Sequence, residues 1–208
     1  MAQYFYVHPL NPQPRLIRAA VDIIKAGGVI AYPTDSCYAL GCDREDKAAV
    51  ERIRHIRAVG AEHHFTLVCR DLSELGKFAR VDNVQYRLLK ANTPGSYTFI
   101  LEATKEVPRR LQHPKHSTIG LRIPDHAVVR ALLGELQEPL LSSTLLLPGD
   151  DTPLSDGMEI RARLEQQIDL VLDGGSCPPE MTTVIDLSGS EPHVLRIGKG
   201  PIHPFGLS

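Results

Sequence analysis

The apolar run Val29-Ile30-Ala31-Tyr32 lies between a Gly27-Gly28 pair and a break at Pro33, an order that most narrows what this chain can fold into. Before it, Pro14 suits the first position of a helix that puts Leu16, Ile17, Ala20, Val21 and Ile24 on one face. The glycines can end that helix in a left-handed conformation. Pro33 is poorly suited to continue a central strand, and Thr34, Asp35, Ser36, Cys37 and Tyr38 follow directly. Such a crowd of small polar groups is read in two ways: side chains capping their own turn, or a site carried at a strand end.

The alternation continues down the chain. Asp46 can cap a helix with Ala49, Ile53 and Ile56 toward the core and Arg57 near its carboxyl end. Residues 65–69 read as a strand, 72–79 and 83–91 as helices, 97–103 and 118–123 as strands, and 127–136 as a helix. Strands near 140–145, 169–172, 182–187 and 193–197, with a helix at 158–167, complete an α/β pattern around a twisted sheet. At 208 residues and 42% hydrophobic the chain can bury a core as one domain, residues 1–208, and no linker is evident. No apolar run is long enough to span a membrane, and the first residues lack signal-peptide character, so a cytoplasmic location is expected. Cys37, Cys42, Cys69 and Cys177 show no Cys-x-x-Cys spacing, which fits free thiols in a reducing compartment.

Net charge is −2, but residues 1–130 carry +6 and residues 131–208 carry −8. Much of the positive charge falls at 44–57 and 105–115, compatible with either solvated helix faces or a basic surface around a cleft. His113-x-x-His116 and His63-His64 lack the helical context and acidic partner of a metal site; they are expected to be surface histidines, with no metal bound by protein ligands. Gly198-x-Gly200 is expected to mark a turn rather than a phosphate loop.

Four further pieces follow in order: Pro94-Gly95-Ser96-Tyr97-Thr98, Gly120-Leu121-Arg122-Ile123-Pro124-Asp125-His126, Ser142-Ser143-Thr144 and Leu195-Arg196-Ile197-Gly198-Lys199-Gly200. With Pro33-Thr34-Asp35, Tyr38 to Gly41 and Thr182 to Asp186, this set resembles the YrdC/YciO family of threonylcarbamoyl-AMP synthases and their paralogues. The resemblance runs from about residue 15 to about residue 200 and is nearest to the YciO branch. It implies a YrdC-like mixed sheet flanked by helices, with a large concave site on which the motif loops converge. In that family a carbamate formed from threonine and bicarbonate attacks the α-phosphate of ATP, normally with magnesium, and the product serves tRNA modification. By motif, Thr34 and Tyr38 would line a small-substrate pocket, and Thr98 and Arg122 its floor. Ser142, Ser143, Thr183 and Arg196 would face the nucleotide, with Arg57, Arg122 and Ser143 acting on the reacting phosphates. Arg122 could also hold a carboxylate bidentately.

The synthase branch carries Lys-x-Arg after its second helix and Ser-x-Asn later, both devoted to ATP. Here the matching positions read Arg57-Ala58-Val59 and Ser143-Thr144-Leu145. Val59 cannot hold a phosphate and Leu145 offers no amide. At about 1.5–3 kcal/mol for each lost hydrogen bond to a charged group, synthesis of the adenylate is expected to be weak. Three readings remain from the sequence: an ATP- or AMP-binding synthase, a hydrolase of adenylylated or acyl-phosphate substrates, and a module for double-stranded RNA or tRNA.

Overall fold

The computed structural model describes residues 1–207. Ten strands form one mixed sheet: β1 (Gln3–Tyr6), β2 (Ile30–Tyr32), β3 (Ala39–Asp43), β4 (Thr66–Val68), β5 (Tyr97–Glu102), β6 (Thr118–Arg122), β7 (Leu140–Thr144), β8 (Leu170–Asp173), β9 (Thr183–Asp186) and β10 (His193–Arg196). The helices are α1 (Pro14–Lys25), α2 (Lys47–Arg57), α3 (Leu72–Phe78), α4 (Asn83–Asn92), α5 (Ala127–Leu136) and α6 (Gly157–Leu164). Strand order is β1-β8-β2-β3-β7-β4-β6-β5-β9-β10. Among the described residues, no helix is long and apolar enough to cross a membrane.

The local signals act as chemistry requires. Pro14 opens α1, and Gly27 follows its end at φ +86°. Asp46 accepts a hydrogen bond from the Ala49 amide and so caps α2. Ile17, Ala20, Val21 and Ile24 are buried against α5 and the sheet, each larger aliphatic side chain contributing about 1.5–3 kcal/mol. Two strands were not expected. Ala39–Asp43 pairs antiparallel with β2, so the polar turn at 33–38 joins two neighbouring strands. Gln3–Tyr6 adds an edge strand parallel to β8.

The pleat sorts side chains between the two faces. Pairing of Val68 with Arg122 and Leu140, of Thr66 with Ser142 and Gly120, and of Ile100 with Gly120 sets these residues on one face. Helices α1 and α5 cover the β8-β2-β3-β7 part of that face. Thr66, Thr98, Ile100 and Val184, from the remaining strands, line a cavity instead. The other face holds the larger core, where α2 packs on β3 and α6 on β8, and Leu67, Phe99, Leu121 and Leu141 belong to the same cluster.

Candidate functional site

The cavity measures about 400 Å³. Arg57, His63, Thr66, Thr98, Ser143 and Arg196 form its polar wall, and Ile100, Leu146, Met181, Val184 and Leu195 its apolar wall. Arg57 is the last residue of α2, and Val59 N–H to Arg54 O and Ala58 N–H to His55 O close the helix behind it. Its Nη1 donates to Ser143 Oγ at 2.9 Å and to the Thr144 carbonyl. His63 Nε2 lies 3.3 Å from the same Ser143 oxygen. Across the cavity, Arg196 donates from Nε to Thr182 O at 3.0 Å and from Nη2 to Thr182 Oγ1 at 3.1 Å. That hydroxyl is 2.8 Å from Thr98 Oγ1. Gly198 makes this corner close, because a Cβ there would sit 2.2 Å from the Met181 carbonyl oxygen.

Arg122 anchors the 33–38 turn. It pairs with Asp35 and donates from Nη2 to Ser36 Oγ at 3.0 Å and Thr34 Oγ1 at 3.2 Å, while its Nε is buried without a partner. Lys199 Nζ reaches back to the Asp35 carbonyl. Among the described residues no carboxylate oxygen lies within 4.0 Å of the Arg57 or Arg196 guanidinium. Burial lowers the pKa of both; Arg196 presses further on Arg57, and Arg122 on Arg196. Both remain charged near neutrality. Arg122 is paired with Asp35, whereas Arg57 and Arg196 bring two half-buried positive charges to the cavity without a carboxylate partner, a setting that favours an anion. Cys37 lies within this field, yet burial outweighs the arginines and pushes its thiol up, so it stays protonated.

Of the residues singled out from sequence, Arg57, Thr98, Ser143 and Arg196 line the cavity. The others stand elsewhere. Thr34 donates to Cys37 O at 2.6 Å and braces its own turn beside Arg122. Tyr38 is fully buried and donates to Gly175 O at 2.7 Å, tying down the segment after β8. Ser142 points away from Ser143 and pairs with the Tyr32 hydroxyl at 2.6 Å. Thr183 is fully buried, accepting from Gly198 N–H at 2.9 Å and bonding Gly200 O. One consequence corrects the expected convergence: the pleat sets Ser143 on the face opposite Arg122. Ser143 enters the cavity at the end of β7, where Arg57 reaches over from α2.

The histidine expectation also changes. His63 and His64 are half-buried in the cavity wall rather than surface groups. Burial, then Arg57, pushes His63 down to about 4, so it is neutral at physiological pH; burial and His113 lower His64. Both sit on an irregular segment, where no periodicity signals a site. Charge is likewise mixed: Arg196 comes from the acidic part of the chain and Glu62 from the basic part. Leu145 is fully buried in the larger core, and its amide donates to Tyr38 O at 3.0 Å. Its side chain is therefore a packing element on the same face as Ser143.

A family model named Sua5_yciO_yrdC, described as "Telomere recombination", matches residues 22–198. The chain is 57% identical to YciO of Escherichia coli K12 over 205 residues, 99% of this chain and all of that protein. The crystal structure of E. coli YciO superposes with a TM-score of 0.96 at 56% identity, covering 99% of this chain and 100% of that one. A threonylcarbamoyl-AMP synthase of Pseudoalteromonas translucida is 32% identical over 171 residues, 78% of this chain and 89% of that protein. P. abyssi Sua5 complexed with L-threonine superposes with a TM-score of 0.86 at 25% identity, covering 94% of this chain and 57% of that one. The chain belongs to the Sua5/YciO/YrdC family.

Proposed function

We propose that the cavity binds an adenylate, with its phosphate between Arg57 and Arg196, and that the protein retains at most slow threonylcarbamoyl-AMP synthesis. The observation that carries this reading is the pair of half-buried guanidiniums without a carboxylate partner, facing each other over Thr98 and Ser143. A phosphate supplies the missing charge, and the hydroxyls supply further donors. The apolar wall of Ile100, Val184 and Leu195 suits the flat face of a base. L-Threonine, present in the P. abyssi Sua5 complex, is the natural second ligand to test.

Magnesium fits this site only as an ion carried by the nucleotide. Among the described residues, no three His, Cys, Asp or Glu side chains converge, and Glu62 is the carboxylate at the cavity wall. Magnesium commonly rests on one or two carboxylates plus substrate phosphates. Weak synthesis follows from Val59 and Leu145, which leave a departing pyrophosphate with fewer fixed donors. Calorimetric titration with AMP and ATP tests the binding. Arg57→Ala and Arg196→Ala are each expected to weaken AMP by about 10- to 100-fold, the value of a hydrogen bond to a charged group. Unchanged affinity in both variants would overturn the reading.

A further inference from the structure

We propose that Ser143 and His63 form a nucleophile–base pair, and that the cavity cleaves mixed carboxylic–phosphoric anhydrides such as acyl adenylates through an acyl-serine intermediate. This deepens, and rests on, the reading of the cavity as an adenylate site.

The argument begins with a proton count. An arginine can only donate, so Arg57 Nη1 at 2.9 Å uses a lone pair of Ser143 Oγ and leaves the serine hydrogen free to point elsewhere. His63 Nε2, at 3.3 Å, is the partner in reach. Burial keeps this imidazole neutral, which makes Nε2 an acceptor when the ring proton sits on Nδ1. The separation is at the long end of a hydrogen bond, as is common before a substrate tightens a site. Both partners are held. Ser143 pairs with Leu40 across β3 and β7, and the His63 ring packs edge-on against Phe65 with centroids 5.4 Å apart. Arg57 completes the group, since a guanidinium on the serine oxygen stabilises the charge that grows there when the proton leaves.

The chemistry balances without a further reactant. Ser143 Oγ attacks the acyl carbon as its proton passes to His63 Nε2. The bond from that carbon to the phosphate oxygen breaks, and its electron pair leaves with AMP, whose charge rests on Arg57 and Arg196. The imidazolium then gives its proton to solvent. Water attacks the acyl-serine, again losing a proton to His63; that proton returns to Ser143 Oγ as the ester bond breaks and the carboxylic acid leaves. A base of low pKa gives little driving force, so turnover is slow.

Acetyl adenylate is the probe. Wild-type protein is expected to release a burst of AMP matching its own concentration and to carry an acetyl group on Ser143 by peptide mass mapping. Ser143→Ala is expected to lose the adduct and the burst. His63→Gln, on an irregular segment, is expected to lower acylation at saturating acetyl adenylate by about 10²- to 10⁴-fold, so that any change in affinity does not enter the rate. Acylation by the wild type is expected to stay constant above pH 5 and to fall as pH drops through about 4, where His63 takes a proton. AMP binding by calorimetry separates the two readings. If AMP does not bind, both fall; if AMP binds but turnover is unchanged in Ser143→Ala or His63→Gln, or the adduct lies elsewhere, the pair alone is overturned.

Discussion

Arg57 occupies the carboxyl end of α2, where the helix dipole favours a cation, while burial in the cavity wall works against its charge. Nη1 alone reaches Ser143 and the Thr144 carbonyl, which leaves Nη2 of the planar fork for a ligand. Arg57→Lys keeps the charge but lacks the fork; AMP affinity is expected to fall about tenfold, measured by calorimetry. His63 carries a pH dependence whose sign is fixed. Its pKa falls from 6.5 in the unfolded chain to about 4 in the fold, so the unfolded state binds more protons between those values. Stability is thus expected to decline as pH drops from 6.5 toward 4, by no more than about 3 kcal/mol. Denaturant midpoints over that range check it: His63→Gln should flatten the slope. Arg57 was legible in the sequence, since a helix cap at Asp46 and an apolar stripe place it at the helix end. His63 was not, because its position depends on a contact with Ser143, eighty residues away.

At the scale of elements, the end of α2 is held by an alanine in an uncomfortable place. Ala58 adopts φ 49°, ψ 43°, the left-handed position at which helices commonly use glycine. An L side chain there costs about 1 kcal/mol, so Ala58→Gly is expected to raise stability by up to about that amount in urea unfolding. AMP affinity should not move, since the backbone already has the required shape. The polar turn at 33–38 makes a companion case. Its hydroxyls and carboxylate brace the turn and Arg122, as in the capping reading of that segment, and none of residues 33–38 lines the cavity. Helices were legible nearly to their ends because caps and a 3.6-residue period are local. Strands β1 and β3 were missed for the opposite reason. Ala39 to Cys42 is buried on both faces and shows no alternation, and Gln3–Tyr6 is strand only by virtue of its partner β8.

For the molecule as a whole, the site depends on strand order, which no periodicity records. Positions 57, 98, 143 and 196 meet because β7, β4, β6, β5, β9 and β10 lie in sequence across the sheet, and because α2 ends beside the last residues of β7. The same order decides how Val59 and Leu145, the positions read from sequence as departures from the synthase pattern, would act, and they are not equivalent. Leu145 follows β7 on the face of Ser143, with its side chain fully buried in the larger core. Leu145→Asn would remove apolar contacts and bury an amide, costing about 3–5 kcal/mol, and so would lower stability before it could restore any phosphate contact. Val59 is different. It lies just past the helix on a half-exposed segment leading to His63, and its side chain can be replaced without opening the core. Val59→Arg is therefore expected to fold with near wild-type stability and to raise threonine-dependent pyrophosphate release, because an added cation acts on charge that develops only as pyrophosphate departs. The gain should appear in kcat more than in KM. A wild-type rate already equal to that of a synthase carrying both motifs would show that the altered positions do not limit the reaction. A Leu145→Asn variant that folded normally and gained activity would show that this core position does face the nucleotide.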